Sequence, residues 1–241
     1  MRNSKLFFSL SLAVLLLLCS VMGASAKSID NPIGATEKNG KVVYKLKLEG
    51  FTIETPYSPK LYNFVREEID NGVKVIVIEK LTGKIVTDYG EIVEYKATPN
   101  KLAGGVTPKI SGTYTSRTTY QTFYDKGYND KHFAGARLYT VYTCWQEGSF
   151  AQINSVEDTY WSPIAGSGNF DLESPHATTV PTGSTNKFPC NKMTTTGTVV
   201  FKTTTTESMG VDLKFFGFTL GGDSYNRYDT GPQGYNITFG I

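Results

Sequence analysis

The sequence predicts a mainly β fold: an antiparallel β-sandwich, or a partly closed barrel, preceded by a small α+β unit of β-α-β-β order. Three observations predict it. From residue 109 onward, Thr- and Tyr-rich segments alternate in character and are separated by Gly, Asn and Ser turn signals. A single stretch, after Ser58-Pro59, has convincing helical spacing. Composition also changes across 97–108, from Lys, Glu, Val and Ile before it to Thr, Tyr, Gly and Phe after it.

The chain opens with a targeting pattern. Arg2 and Lys5 precede the apolar run from Leu6 to Met22, and Ala24-Ser25-Ala26 has the small-residue form of a cleavage site. Residues 1–26 therefore read as a secretory signal peptide rather than a membrane anchor, and the mature chain is expected outside the cell. Cleavage after Ala26 removes two basic residues and leaves 22 Lys and Arg against 22 Asp and Glu. A neutral chain offers no general electrostatic reason to bind nucleic acid or an anionic membrane. Cys144 and Cys190 remain, and in an exported protein the expectation is a disulfide between them. It would close a loop of about 47 residues and contribute roughly 4 kcal/mol in the chain-entropy model.

Residues 27–40 are polar and read as a flexible N-terminal tail. Val42, Tyr44, Leu46 and Leu48 then alternate with lysines in an edge-strand pattern. Ser58 suits an N-cap and Pro59 a first helical position, with Leu61, Phe64, Val65 and Ile69 on one helical face and Asn71-Gly72 as a left-handed stop. Residues 73–79 and 85–96 read as a strand pair around a turn at 81–84. The α+β unit thus covers 41–96, and 97–108, with two prolines and two adjacent glycines, reads as a linker.

In the sandwich region, 109–241, Tyr114, Tyr120 and Tyr124 share one strand parity. Leu138, Tyr142 and Cys144 share one face of the next strand, with Tyr139, Val141 and Trp145 on the other. A strand over 149–161 follows. Residues 164–189 read mostly as loop around a short strand at 169–173. Thr194 to Leu220 reads as a long hairpin with its turn at 207–210, and Tyr235, Ile237 and Phe239 alternate in a terminal strand.

The chemistry-bearing patterns are few. No phosphate-binding loop, G-x-S-x-G elbow or zinc spacing occurs, so no cofactor or metal is expected. Asp125 to Asp130 has calcium-like oxygen donors but not the spacing of a helix–loop–helix calcium site. Glu147, Glu157, Asp158, Asp171 and Glu173 lie in or beside the central strands, so a carboxylate-dependent hydrolase is one reading. The Thr-rich hairpin supports another, a pore-forming or membrane-active protein inserting 194–220, although Lys202 and Lys214 sit mid-strand.

The aromatic content carries the leading reading. Fifteen Tyr and two Trp exceed what a core favours, since a buried phenol needs a hydrogen-bond partner. Tyr114, Tyr120, Tyr124, Tyr139, Trp145, Tyr160 and Trp161 cluster in the middle third and are the candidate ligand-binding residues. The expected function is a secreted, non-enzymatic binding protein whose aromatic β face contacts a glycan, a cell-envelope component or an extracellular protein.

Overall fold

A computed structural model describes residues 27–28, 32, 34–38, 40–95, 112–124, 135–164, 170–182, 185–205, 226–229 and 233–241. The expected signal peptide 1–26, the expected linker 97–108, the Asp125–Asp130 segment and the second strand of the expected 194–220 hairpin lie outside these residues.

Every regular element among the described residues is a strand. In chain order they are β1 (Lys27–Ser28), β2 (Ala35–Lys38), β3 (Lys41–Lys47), β4 (Thr52–Thr55), β5 (Tyr62–Ile69), β6 (Gly72–Glu79) and β7 (Ile85–Tyr95). There follow β8 (Thr113–Tyr124), β9 (Gly135–Glu147), β10 (Phe150–Pro163), β11 (Phe170–Pro181), β12 (Lys192–Thr205), β13 (Asn226–Asp229) and β14 (Gln233–Gly240). They form two open antiparallel sheets. The first runs β1-β5-β6-β7-β8-β9-β10; the second runs β11-β12-β14-β4-β3-β2, with β13 also on β12. Among the described residues no sheet closes into a barrel. One core joins the sheets in a sandwich-like arrangement, with Phe64, Val75, Leu138 and Tyr142 from the first against Leu46, Ile53, Met193 and Phe201 from the second.

The expected α+β unit is absent, because the residues read as a helix form strand β5. The Ser58 carbonyl accepts the N–H groups of Leu61 and Tyr62, closing a turn rather than opening a helix. The chain then pairs with β6 from Tyr62↔Glu79 to Ile69↔Gly72. Asn71 is left-handed, at φ 57°, but it turns a hairpin instead of capping a helix. An isolated helix of that length is marginal in water, whereas the strand gains a continuous ladder and buries Phe64. Strand β7 pairs with β8 along Tyr89↔Gln121 to Tyr95↔Thr115, so strands from both sides of 97–108 lie in one sheet. Strand β11 replaces the short strand and loop expected over 164–189. It accommodates Pro175 through a register shift between Glu173 and His176, with Ser174 at φ 49°. Residues 194–205, the first strand of the expected hairpin, lie in β12, which pairs with β11 on one edge and with β13 and β14 on the other.

The expected disulfide is also absent: Cys144 and Cys190 are free, buried thiols. Ile153 separates them. It pairs with Cys144 on one side and forms a two-hydrogen-bond bridge with Cys190 on the other. Two strand spacings amount to roughly 10 Å, beyond the Cα separation of about 4.4–6.8 Å that a disulfide spans. Burial pushes the Cys144 thiol up to about 12 and raises that of Cys190 as well. A thiol with a raised pKa carries less thiolate at a given pH, so both should resist Ellman's reagent at pH 8 in the native protein. Two thiols should titrate once urea unfolds it. Fast native reaction, or no thiols after unfolding, would overturn this placement.

Two polar features tie the sheets together. Glu91 is fully buried; its Oε2 accepts the N–H groups of Gly50 at 2.9 Å and Phe51 at 3.3 Å, and its Oε1 pairs with Arg117. Elsewhere Thr195 bonds Thr140 at 2.6 Å and Thr179 at 2.7 Å, and Thr179 bonds Thr159 at 2.8 Å. This hydroxyl cluster joins β9 and β10 to β11 and β12, so part of the Thr content serves the interior.

Candidate aromatic binding face

Strand alternation decides which aromatics meet. On β9, Leu138, Thr140, Tyr142 and Cys144 are buried toward the core, while Arg137, Tyr139, Val141, Thr143 and Trp145 point to the opposite, outer face. Register carries this parity to the neighbouring strands. Tyr120 pairs with Tyr139, and Tyr139 with Tyr160, so three tyrosines stand in one row across β8, β9 and β10. The Tyr139 and Tyr160 rings stack at 5.0 Å with 15° between their planes; Tyr120 and Tyr139 are tilted at 5.5 Å. Tyr160 ends the row on the outermost strand of its sheet, and the residue is 40% exposed.

The row is braced at its other end. Gly90 pairs with Tyr120, and a Cβ at Gly90 would stand 2.1 Å from Tyr120 Cζ, so the phenol occupies the space a side chain would fill. The Arg137 guanidinium lies over the Tyr120 ring, 4.6 Å from its centroid. Arg137 Nε donates to Thr122 Oγ1 at 2.9 Å, and Nη2 lies 3.5 Å from Asp88 Oδ1. Tyr124 donates its hydroxyl to Asp88 Oδ2 at 3.3 Å. Burial pushes the Tyr120 hydroxyl up to about 12, and burial also raises Tyr160. Both phenols stay neutral at ordinary pH and keep their donor hydrogens.

A second aromatic group lies farther along the same face. Trp145 pairs with Tyr114 on one side and Gln152 on the other, and packs edge-on against Phe150 at 5.8 Å. A Cβ at Gly112 would stand 2.2 Å from Trp145 Cε2, so the indole lies against that backbone. The six residues from Tyr139 to Trp145 separate the groups by roughly 20 Å. Between them lie polar positions such as Thr118, Thr143 and Asp158.

Six of the seven candidate residues therefore share one face: Tyr114, Tyr120, Tyr124, Tyr139, Trp145 and Tyr160. Trp161 lies on the other face. It is 9% exposed, packs against Phe123 at 5.5 Å and donates its indole N–H to the His176 carbonyl at 3.0 Å. Sequence reading overlooked Asp88, Gly90 and Arg137. An isolated glycine inside the alternating strand 85–96 was the available signal, since it marks a close approach to the backbone.

The candidate carboxylates are spread over both sheets. Glu147, Glu157, Asp158 and Asp171 are exposed, and Glu173 is half-buried. Thr143 donates to Glu157, and the Thr159 backbone N–H donates to Asp158. Among the described residues, no group of three or more His, Cys, Asp or Glu is placed to hold a metal ion. Comparisons of the chain with protein-family models, with curated proteins and with solved structures find no match.

Proposed function

We propose that this chain is an exported, non-enzymatic binding protein that takes a glycan on the outer face of its first sheet. The supporting observation is the braced row Tyr120–Tyr139–Tyr160, which ends in a partly exposed ring at a sheet edge. A sugar presents flat C–H surfaces that stack on aromatic rings, and hydroxyls that pair with neutral polar groups. Threonine hydroxyls and neutral phenols supply those partners here. The second group, Tyr114–Trp145–Phe150, gives an extended chain a further contact roughly 20 Å along the strands. Rings held by packing lose little rotamer freedom on binding, which favours affinity.

Sedimentation of the mature protein with insoluble polysaccharides and cell-wall polymer tests this reading. Retention is expected, and a Tyr139→Ala/Tyr160→Ala double variant should bind about tenfold more weakly, a loss of roughly 1.4 kcal/mol. Unchanged retention by a folded double variant would remove the face from the proposal. Failure of the parent to bind any of the polymers would remove the glycan.

A further inference from the structure

The three strands that carry the aromatic groups present an uneven charge to solvent. Strands β8, β9 and β10 hold two basic residues, Arg117 and Arg137, and three acidic ones, Glu147, Glu157 and Asp158. Both arginines are engaged with buried carboxylates: Arg117 pairs with Glu91, and Arg137 Nη2 lies 3.5 Å from Asp88 Oδ1. The three acidic residues are exposed. Lys74, farther along the same face, is engaged with Glu67 at 2.9 Å. A strand irregularity aims the acids of β10. Its register shifts between Val156↔Tyr142 and Asp158↔Val141, so Glu157 is the extra residue of a bulge. Asp158 therefore stands beside outward-facing Val141, roughly 7 Å along the strand from Tyr160. The Thr159 backbone N–H donates to Asp158 Oδ1 at 2.8 Å, and the outward Thr143 hydroxyl donates to Glu157. Burial first, then Tyr139 and the Asp158 carboxylate, raise the Tyr160 hydroxyl, so the charge of Asp158 is felt at that ring. Glu147 follows Trp145 on the same parity and pairs with Phe150. Each aromatic group thus has an exposed carboxylate at its border.

We propose that the aromatic face selects glycans bearing protonated primary amines, with Asp158 beside Tyr160 and Glu147 beside Trp145 and Phe150 as the residues that set this preference; the inference rests on the glycan reading above. A hexosamine stacked on Tyr160 keeps a C–H face on the ring and carries its amine at the edge of the sugar, where Asp158 meets it. A polymer with an amine on every sugar meets the acids of both aromatic groups at once. An N-acetylated sugar offers the same C–H face without the charge, and a uronic acid is repelled. Stacking therefore supplies contact, while the carboxylates discriminate between glycans of similar shape. The arginines do not cancel this field, because each already faces a buried carboxylate.

Sedimentation at pH 5 with particles of deacetylated chitin, and with the same particles re-acetylated by acetic anhydride, tests the preference. The parent protein should bind the amine-bearing particles about tenfold more tightly, and added salt should narrow the difference. Asp158→Asn and Glu147→Gln should each reduce the preference about threefold, and the two together should nearly abolish it. Asp171→Asn, which removes an exposed acid on β11, should keep it. Polylysine at equal amine concentration should compete poorly, because it lacks the sugar face. Equal retention on both kinds of particle, or a preference that survives the Glu147→Gln/Asp158→Asn double substitution, would overturn the amine selectivity and leave the glycan reading intact. Equal competition by polylysine would also overturn it, as charge attraction without sugar recognition. Retention on neither particle, nor on any other polysaccharide, would remove the glycan reading and this inference with it.

Discussion

A Glu91→Ala variant is expected to lose about 3–5 kcal/mol of stability and melt roughly 10 °C lower. The cost arises because the substitution strands three groups at once. Arg117, whose side chain is 11% exposed, keeps its charge without a counterion. The N–H groups of Gly50 and Phe51 lose their shared acceptor where the β3–β4 turn meets the first sheet. The guanidinium lies 5.5 Å from the Phe51 ring centroid, and a Cβ at Gly50 would stand 2.3 Å from Arg117 Nη1, so it is packed closely against the turn. Glu91→Gln should cost less, because its carbonyl oxygen still accepts from the turn. Replacing the pair together, as Glu91→Leu/Arg117→Met, should recover part of the loss: neither charge is left uncompensated, but the Gly50 and Phe51 N–H groups still lack their acceptor. Urea unfolding of the four proteins measures these differences. A loss below about 1 kcal/mol in Glu91→Ala would mean that the pair does not clamp the two sheets.

This clamp illustrates which parts of the molecule were legible in the sequence. Strands β6 and β9 were legible because their inward positions are mostly apolar or aromatic and recur at a period of two, and β8 because Tyr114, Tyr120 and Tyr124 recur on its outward parity. Strand β5 was not. Its inward positions include Arg66 and Glu68, because it lies at the sandwich margin, where Arg66 reaches the Lys47 carbonyl at 3.2 Å and the Glu49 carboxylate at 3.5 Å. With charges on the inward parity, the accidental helical spacing of Leu61, Phe64, Val65 and Ile69 became the stronger signal. Strand β11 was hidden for a different reason. Ser174 and Pro175 look like loop residues, but a register shift in an edge strand absorbs them. The disulfide expectation followed from the inferred compartment and could not register that Ile153 stands between the two thiols. The Thr runs carried a real strand signal, yet nothing local distinguished inward Thr195 from its outward neighbours Thr194 and Thr196.

The aromatic face was legible as a set of residues more than as a surface. Tyr parity on β8 and β9 was visible in the sequence, whereas the row depends on register. Only the pairings of Tyr120 with Tyr139 and Tyr139 with Tyr160 bring three strands into line. Its bracing depends on Gly90 and Arg137, neither of which is aromatic, so a search for aromatic residues passed over both.

Tyr160 and Trp161 give the largest contrast expected from neighbouring substitutions. Consecutive residues in a strand face opposite ways, so both cannot serve one surface. Tyr160→Ala removes the partly exposed end of the row and should change stability by under about 1 kcal/mol while weakening polysaccharide retention. Trp161→Ala should do the reverse at first sight of the folded protein: about 3–5 kcal/mol of stability lost, with binding per folded molecule retained. The indole fills a space shaped for it. It packs on Phe123, its N–H is bonded to the His176 carbonyl, and a Cβ at Gly197 would stand 2.7 Å from Nε1. Truncation therefore leaves a cavity and removes the hydrogen bond to the His176 carbonyl at the junction of β10 with β11 and β12. Trp161→Phe should fall between, filling most of the volume without the hydrogen bond. Melting curves and retention assays on the same preparations separate the two roles. Loss of retention in a Trp161→Phe protein that remains folded would place the ligand on the inner side of β10, whereas loss only with Tyr160→Ala keeps it on the outer face.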